Sequence, residues 1–240
     1  MKKNNLIFSI LLVLFMTSCS DDESTTGTVS SSPGSGSESS LISLSELISS
    51  PTDQFILDED GLEKMSDGFP YLGEGSSAPH TGSHIRFTEE SEAYLVNIYA
   101  PVDSIVQQIR TCVDLGNGND KYDLLLKIAE NNGDMVSLNL SLEPFDGMMC
   151  DDDPNIYDQY ILVEEGDFVE KGALIAKMLR PTNGSSSTHI HWNLTSSLGF
   201  HCPNIFTTEI VNAFSSKYQS PSYGETLCYL PTGDENLTGL

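Results

Sequence analysis

The chain has 240 residues and carries 35 acidic against 11 basic side chains, which gives a formal net charge of −24. This balance excludes nucleic acid as a partner, because phosphate binding requires basic patches and the sequence shows none. Residues 41–240 are numerous enough for one well-developed hydrophobic core and too few for two.

The N-terminus has the layout of an export signal. Lys2 and Lys3 precede the apolar run 6–16, which is too short to span a bilayer. The run ends in the tetrapeptide Met-Thr-Ser-Cys, which resembles the bacterial lipobox, where small residues precede a cysteine that receives lipid. We therefore expect a lipoprotein signal peptide at 1–18 and a membrane anchor on Cys19. An ordinary secretory signal with an incidental cysteine is the alternative.

Residues 20–40 are dominated by Ser, Thr, Gly and acidic residues, and such a segment cannot bury enough surface to offset the cost of ordering it. We predict a lipidated, disordered tether over 19–40. Its acidic start resembles the surface-export signal of some Gram-negative lipoproteins, which favours the outer membrane or cell surface; acidic residues in a plain tether would look the same. The predicted order of the remaining parts is an N-terminal extension at 41–78, a central domain at 79–200 and a C-terminal extension at 201–240.

Four cysteines remain once Cys19 is assigned to lipid. An even number in an exported domain indicates two disulfides, and four cysteines allow three connectivities. Sequence order favours Cys112 with Cys150 and Cys202 with Cys228. A cysteine zinc site is not favoured, because the chain lacks a Cys-x-x-Cys pair.

Strand patterns dominate the domain. Short alternating or β-rich runs, separated by Gly, Asn, Asp and Pro, predict an all-β sandwich or barrel. Helical periodicity is confined to 41–48 and to 204–214, which opens after Pro203. The predicted strands cover 84–88, 94–99, 104–109, 122–129, 135–142, 159–163, 173–179 and 189–195.

Four of the five histidines form two close pairs, His80 with His84 and His189 with His191. Imidazole is the commonest zinc-binding side chain, and a catalytic zinc site needs about three protein ligands. Residues two apart on a strand point to the same face, so His189 and His191 can line one site. The fifth, His201, is interpreted as a surface or core-edge residue, with an approach to the site from its loop as the alternative.

Two further segments carry family signals. Ala-Pro at 100–101 and Gly-Asp-x-Val-x-x-Gly at 166–172 resemble barrel-sandwich hybrid folds. Together with the histidines, these motifs run over 79–195 in the order found in the lysostaphin/LytM-type zinc metallopeptidases, which the chain resembles. The resemblance implies an all-β, antiparallel barrel-sandwich hybrid of the duplicated hybrid motif type with short flanking helices. It also implies zinc as cofactor and peptidoglycan or another peptide as substrate.

The resemblance assigns roles residue by residue. His80 matches the first zinc ligand, His191 the third, and His84 stands where the family normally has an aspartate. His189 matches the catalytic histidine that acts as general base or hydrogen-bond donor. The family's other catalytic histidine, on a Tyr-x-His strand, is missing from the corresponding stretch 135–141 near Leu140. By alternation Asn139 faces away from the neighbouring leucines and is a poor substitute.

Three functions of different classes follow. The first is a cell-envelope zinc endopeptidase that hydrolyses peptidoglycan cross-links. The second is a catalytically inactive zinc-binding relative that binds wall peptide or regulates another hydrolase, and the missing histidine favours it. The third is a lipoyl/biotinyl-like scaffold domain, which the Gly-Asp hairpin allows; it lacks an acceptor lysine at a hairpin tip and leaves the histidines unexplained. The sequence leaves the oligomeric state open.

Overall fold

The computed structural model describes residues 41–73, 81–116, 118–144, 150–151, 153–182 and 188–229. Contacts divide the chain into two units, Met1–Ser39 and Ser40–Leu240, and all described residues belong to the second. Its helices are α1 (Leu44–Ser49), α2 (Glu59–Glu63) and α3 (Thr208–Ser215), with 3₁₀ turns at Asp158–Tyr160 and Pro221–Tyr223. Its strands are β1 (Met65–Phe69), β2 (Ser83–Phe87), β3 (Tyr94–Tyr99), β4 (Ser104–Asp114), β5 (Asp120–Asn131), β6 (Asp134–Glu143), β7 (Phe168–Val169), β8 (Leu174–Arg180), β9 (His189–Ser196) and β10 (Gly199–His201).

The strands form two antiparallel sheets. The larger sheet has the order β1-β2-β9-β6-β5-β4-β7, and β10 pairs with β9 beyond the end of β2. The smaller sheet consists of β3 and β8. The all-β, antiparallel fold class predicted from the sequence is confirmed.

Strict alternation on β6 shows how the larger sheet acquires one apolar and one polar face. Leu138, Leu140 and Leu142 are fully buried, and the residues between them are polar. Apolar side chains of both sheets belong to one core cluster, which therefore fills the space between the sheets. The Tyr122 hydroxyl on β5 also donates a hydrogen bond to the Lys177 carbonyl on β8.

A cluster of aromatic rings anchors the core directly behind the predicted histidine strand. Trp192 on β9 is fully buried and makes edge contacts with Phe55, Phe206 and Phe214 at centroid separations of 5.6, 5.6 and 5.7 Å. Edge-to-face aromatic pairs add about 0.5–1.5 kcal/mol each beyond their buried area. The cluster holds β9 firmly from the core side, so that the opposite face of β9 is presented at a fixed position.

Most predicted strands form, and the errors are local. The predicted strand 159–163 is wrong: the chain there makes the 3₁₀ turn Asp158–Tyr160 and one isolated bridge from Ile161 to Ala176. Polar turn-forming residues upstream explain this, since Asp153 and Asn155 bend the backbone into successive turns. Helix α2 and the short strands β1, β7 and β10 were not predicted. Strand β1 lies within the predicted extension 41–78 and pairs with β2.

Two disulfides cross-link the domain. Cys112 on β4 is bonded to Cys150, and Cys202 is bonded to Cys228, which is the pairing that sequence order favours. No helix among the described residues is long and apolar enough to cross a membrane. The expected signal peptide, Cys19 and the tether at 19–40 lie outside the described residues.

Candidate functional site

Three of the predicted histidines meet where β2 pairs with β9. His84 on β2 lies directly opposite His191 on β9, and their ring centroids are 5.1 Å apart. The ring of His84 is still closer to that of His189, at 4.5 Å. His84 is buried and His189 is largely buried. The antiparallel pairing therefore brings together histidines that are about a hundred residues apart in the chain, as the two-pair pattern suggested.

The segment that leads into β2 packs on the same histidines. The Asn193 side-chain amide on β9 donates a 2.7 Å hydrogen bond to the Thr81 carbonyl. A Cβ atom built on Gly82 would lie 1.8 Å from Nε2 of His191, so any other residue at this position would displace the ring or the backbone. Thr81 and Gly82 are thus held beside the histidines. His80, the predicted first ligand, precedes them and lies outside the described residues.

Strand β6 borders the histidines on the other side of β9. Its register places Ser141 opposite His191 and Glu143 opposite His189. Glu143 Oε2 is 3.5 Å from His189 Nε2, within ion-pair distance. Because directly opposed side chains share a face of the sheet, Ser141 and Glu143 lie on the histidine face.

This register corrects the interpretation of Asn139. The residue does face away from the leucines of β6, but that is the face on which the histidines lie. Asn139 is a poor substitute for the missing histidine because of its place along the strand, since it pairs with Asn193 beyond the histidines. The sequence analysis missed Glu143 because it compared only residues 135–141 with the family's Tyr-x-His strand. The alternation Leu-Ser-Leu-Glu over 140–143 indicates that the strand continues to Glu143.

A chain of paired charges continues from Glu143 across the polar face. Lys121 Nζ lies 3.6 Å from Glu143 Oε1 and 3.4 Å from Asp123 Oδ1. Ser141 accepts a 2.5 Å hydrogen bond from Lys121 and donates one of 2.6 Å to Asp123. Arg110 is the last member of this row of charges and donates a 2.6 Å hydrogen bond to the Asp123 carboxylate. Buried carboxylates are costly unless paired, and both carboxylates here are paired.

The described residues fit a zinc site in ligand type and supply part of the predicted set. Imidazole nitrogens suit zinc, and His84 and His191 are neighbours on adjacent strands. Across the described ranges, no group of three or more His, Cys, Asp or Glu side chains is arranged to hold a metal ion. The third predicted ligand, His80, belongs to the segment 74–80, which is not described.

His201 lies on the other face of the sheet. It pairs with Leu194, which is buried in the core, and its Nε2 is 2.8 Å from Ser196 Oγ. Burial lowers the pKa of His201, and the carboxylate of Asp134 offsets part of this effect. His201 is therefore a core-edge residue, and its approach to the histidine site, the alternative left open by the sequence, does not occur.

Comparisons with known proteins add little to this geometry. No protein-family model matches the sequence, and no curated protein matches it. A solved structure described as "Identification and structural characterization of LytU" is similar over 64% of this chain and 88% of that chain, at 16% sequence identity and a TM-score of 0.35. A likeness of this degree carries no weight for function, which has to come from the residues of the site.

Proposed function

We propose that this chain is a lipid-anchored protein of the cell envelope whose β-domain is a zinc-dependent endopeptidase that hydrolyses peptidoglycan peptides. The observation that carries the proposal is the meeting of His84, His189 and His191 at the β2–β9 pair. The order of the family motifs along the chain supports the substrate class. The lipobox-like sequence before Cys19 supports the anchor, with the outer membrane or cell surface as its location.

The proposed zinc ligands are His80, His84 and His191. An ion held by these residues would lower the pKa of a bound water and would polarise the scissile carbonyl. A histidine at position 84, in place of the usual carboxylate, leaves the ligand set without negative charge. His189 shares the face of β9 with His191, so its imidazole is within reach of the same reacting groups as a general base or hydrogen-bond donor.

The packing of β9 contributes precision to this site. Trp192, which directly follows His191 on β9, is locked into the aromatic core cluster. Asn193 holds the Thr81 carbonyl, and Gly82 packs on His191. Functional side chains on a strand supported in this way keep their geometry better than side chains on a free loop.

A second candidate function is a zinc-binding module that binds wall peptide without cleaving it, or that regulates another hydrolase. One observation favours it: strand β6 carries no histidine, and the residues that it places opposite His189 and His191 are Glu143 and Ser141. Loss of one proton-transfer partner typically costs about 10²- to 10⁴-fold in rate.

Metal analysis combined with a hydrolysis assay tests both candidates. Purified full-length protein is expected to hold one zinc, to lose it in His191→Ala, and to keep it in His201→Gln, a matched control on the other face of the sheet. His189→Ala is expected to keep the metal and to lose about 10²- to 10⁴-fold in cleavage of cross-linked peptidoglycan. A zinc-loaded wild type that binds peptidoglycan without cleaving it would favour the second candidate. Absence of zinc at saturating supply would refute both.

A further inference from the structure

Glu143 is a buried carboxylate beside His189 that has no role in the proposed reaction as described above. Glu143 is the last residue of β6. Its Oε2 atom lies 3.5 Å from Nε2 of His189. Its side chain is only 10% exposed, and that of His189 13%. Because both side chains are largely buried, water screens the interaction between this carboxylate and the imidazole only weakly.

A carboxylate beside an imidazole has a defined chemical effect. It accepts a hydrogen bond from the N–H of the nearer ring nitrogen, which orients the ring and determines which nitrogen carries the hydrogen. It also stabilises positive charge on the ring whenever the imidazole holds a second proton. Hydrogen bonds of this kind are often long in ligand-free structures and shorten in complexes. The 3.5 Å separation therefore fits an orienting contact.

The surroundings hold Glu143 in place. Lys121 Nζ lies 3.6 Å from Oε1, the carboxylate oxygen that does not face His189. Lys121 is in turn held by Ser141 and by Asp123, which Arg110 also binds. The two carboxylate oxygens of Glu143 are thus divided between Lys121 and His189. A residue with its position so constrained is suited to orienting its neighbour.

We infer that Glu143 is the positioning residue of His189. The inference rests on the proposed function for its catalytic consequence. Its structural part, the control of the His189 ring by Glu143, does not depend on zinc or on activity. Glu143 acts through His189 and need not touch the substrate.

The decisive readout is the nitrogen-15 spectrum of the His189 ring in full-length protein, with and without zinc, at about pH 8, where ordinary imidazoles are neutral. Wild type is expected to carry the ring proton on Nε2. Glu143→Met removes the acceptor and is expected to shift the tautomer population toward Nδ1. Glu143→Gln keeps an acceptor oxygen and is expected to retain the wild-type tautomer in part. The same His189 spectrum in wild type and Glu143→Met would overturn the inference.

Two further variants protect this experiment from a folding artefact. The double variant Glu143→Met with Lys121→Met removes both charges, so that no unpaired cation is left behind. Glu130→Gln is the matched control, since its carboxylate pairs with Lys127 at 2.6 Å near the other end of β5. It is expected to leave the His189 spectrum unchanged.

Kinetics separate this inference from the proposed function. In an active enzyme, Glu143→Met is expected to lower kcat by about 10- to 100-fold with KM nearly unchanged and zinc retained, and Glu143→Gln is expected to restore part of the loss. An unchanged kcat would refute the catalytic consequence. If the wild type cleaves nothing, the proposed function fails, while the ring spectrum still decides whether Glu143 positions His189.

Discussion

Replacing Gly82 with alanine perturbs the proposed site through one contact whose size is known. The backbone of Gly82 lies outside the left-handed region, so the cost of the substitution is steric. The new Cβ atom would lie 1.8 Å from Nε2 of His191, whereas real Cβ atoms keep at least 3.0 Å from other heavy atoms. The ring of His191 or the Gly82 backbone must therefore move by about 1.2 Å. Metal sites tolerate shifts of only about 0.2 Å in ligand distance.

Two quantities are expected to fall in the Gly82→Ala variant. Overpacking of a buried contact lowers the free energy of unfolding by about 1–3 kcal/mol, measurable by urea denaturation. Displacement of a ligand is expected to weaken zinc binding by at least about 10- to 100-fold in a chelator competition assay. Ser83→Ala is the control, because the buried Ser83 hydroxyl has no hydrogen-bond partner among the described residues.

The two measurements refute different parts of the reasoning. An unchanged free energy of unfolding in Gly82→Ala would show that Gly82 does not pack on His191. If Gly82→Ala lowers the free energy of unfolding as expected but binds zinc with wild-type affinity, His191 is not a zinc ligand. An equal effect of Ser83→Ala on both quantities would mean that any change in this segment perturbs the site.

Three further predictions concern pH dependence and anchoring. Burial raises the pKa of Tyr122 and Tyr157. The stability that the two tyrosines contribute is therefore complete below about pH 10 and is lost as the pH rises through their folded-state pKa. Absorbance at 295 nm should show that neither ionises before the protein unfolds. Burial lowers the pKa of His201. The contribution of His201 to stability is therefore complete above about pH 6.5 and is lost as the pH falls through the lowered pKa. His201→Gln should flatten the dependence of the free energy of unfolding on pH between about 7.5 and 5. Cys19→Ser should release the protein from the membrane fraction, and retention there would contradict lipid attachment.

The sequence was most informative where local pattern decides structure. Strand β3 was predicted with its observed bounds, and Asn139 was placed on the face of β6 opposite the leucines, because alternation of apolar and polar residues reports a half-buried strand directly. The pattern failed at 159–163, where apolar residues continue but the preceding polar residues form turns. It also missed β1, whose Asp67 and Gly68 interrupt the alternation. Strand β1 exists because β2 offers it an edge for pairing, which is a tertiary cause.

The site was predictable to the extent that it depends on one strand. His189 and His191 share a face because they are two residues apart, and counting along the sequence is sufficient to show this. The neighbours of these histidines on β6 depend on the register between β6 and β9, which the sequence does not encode locally. A slip of one residue would turn Ser141 and Glu143 to the core, and a slip of two would place Ser141 opposite His189. The histidine face could therefore be predicted, but the carboxylate beside His189 could be identified only from the pairing of the strands.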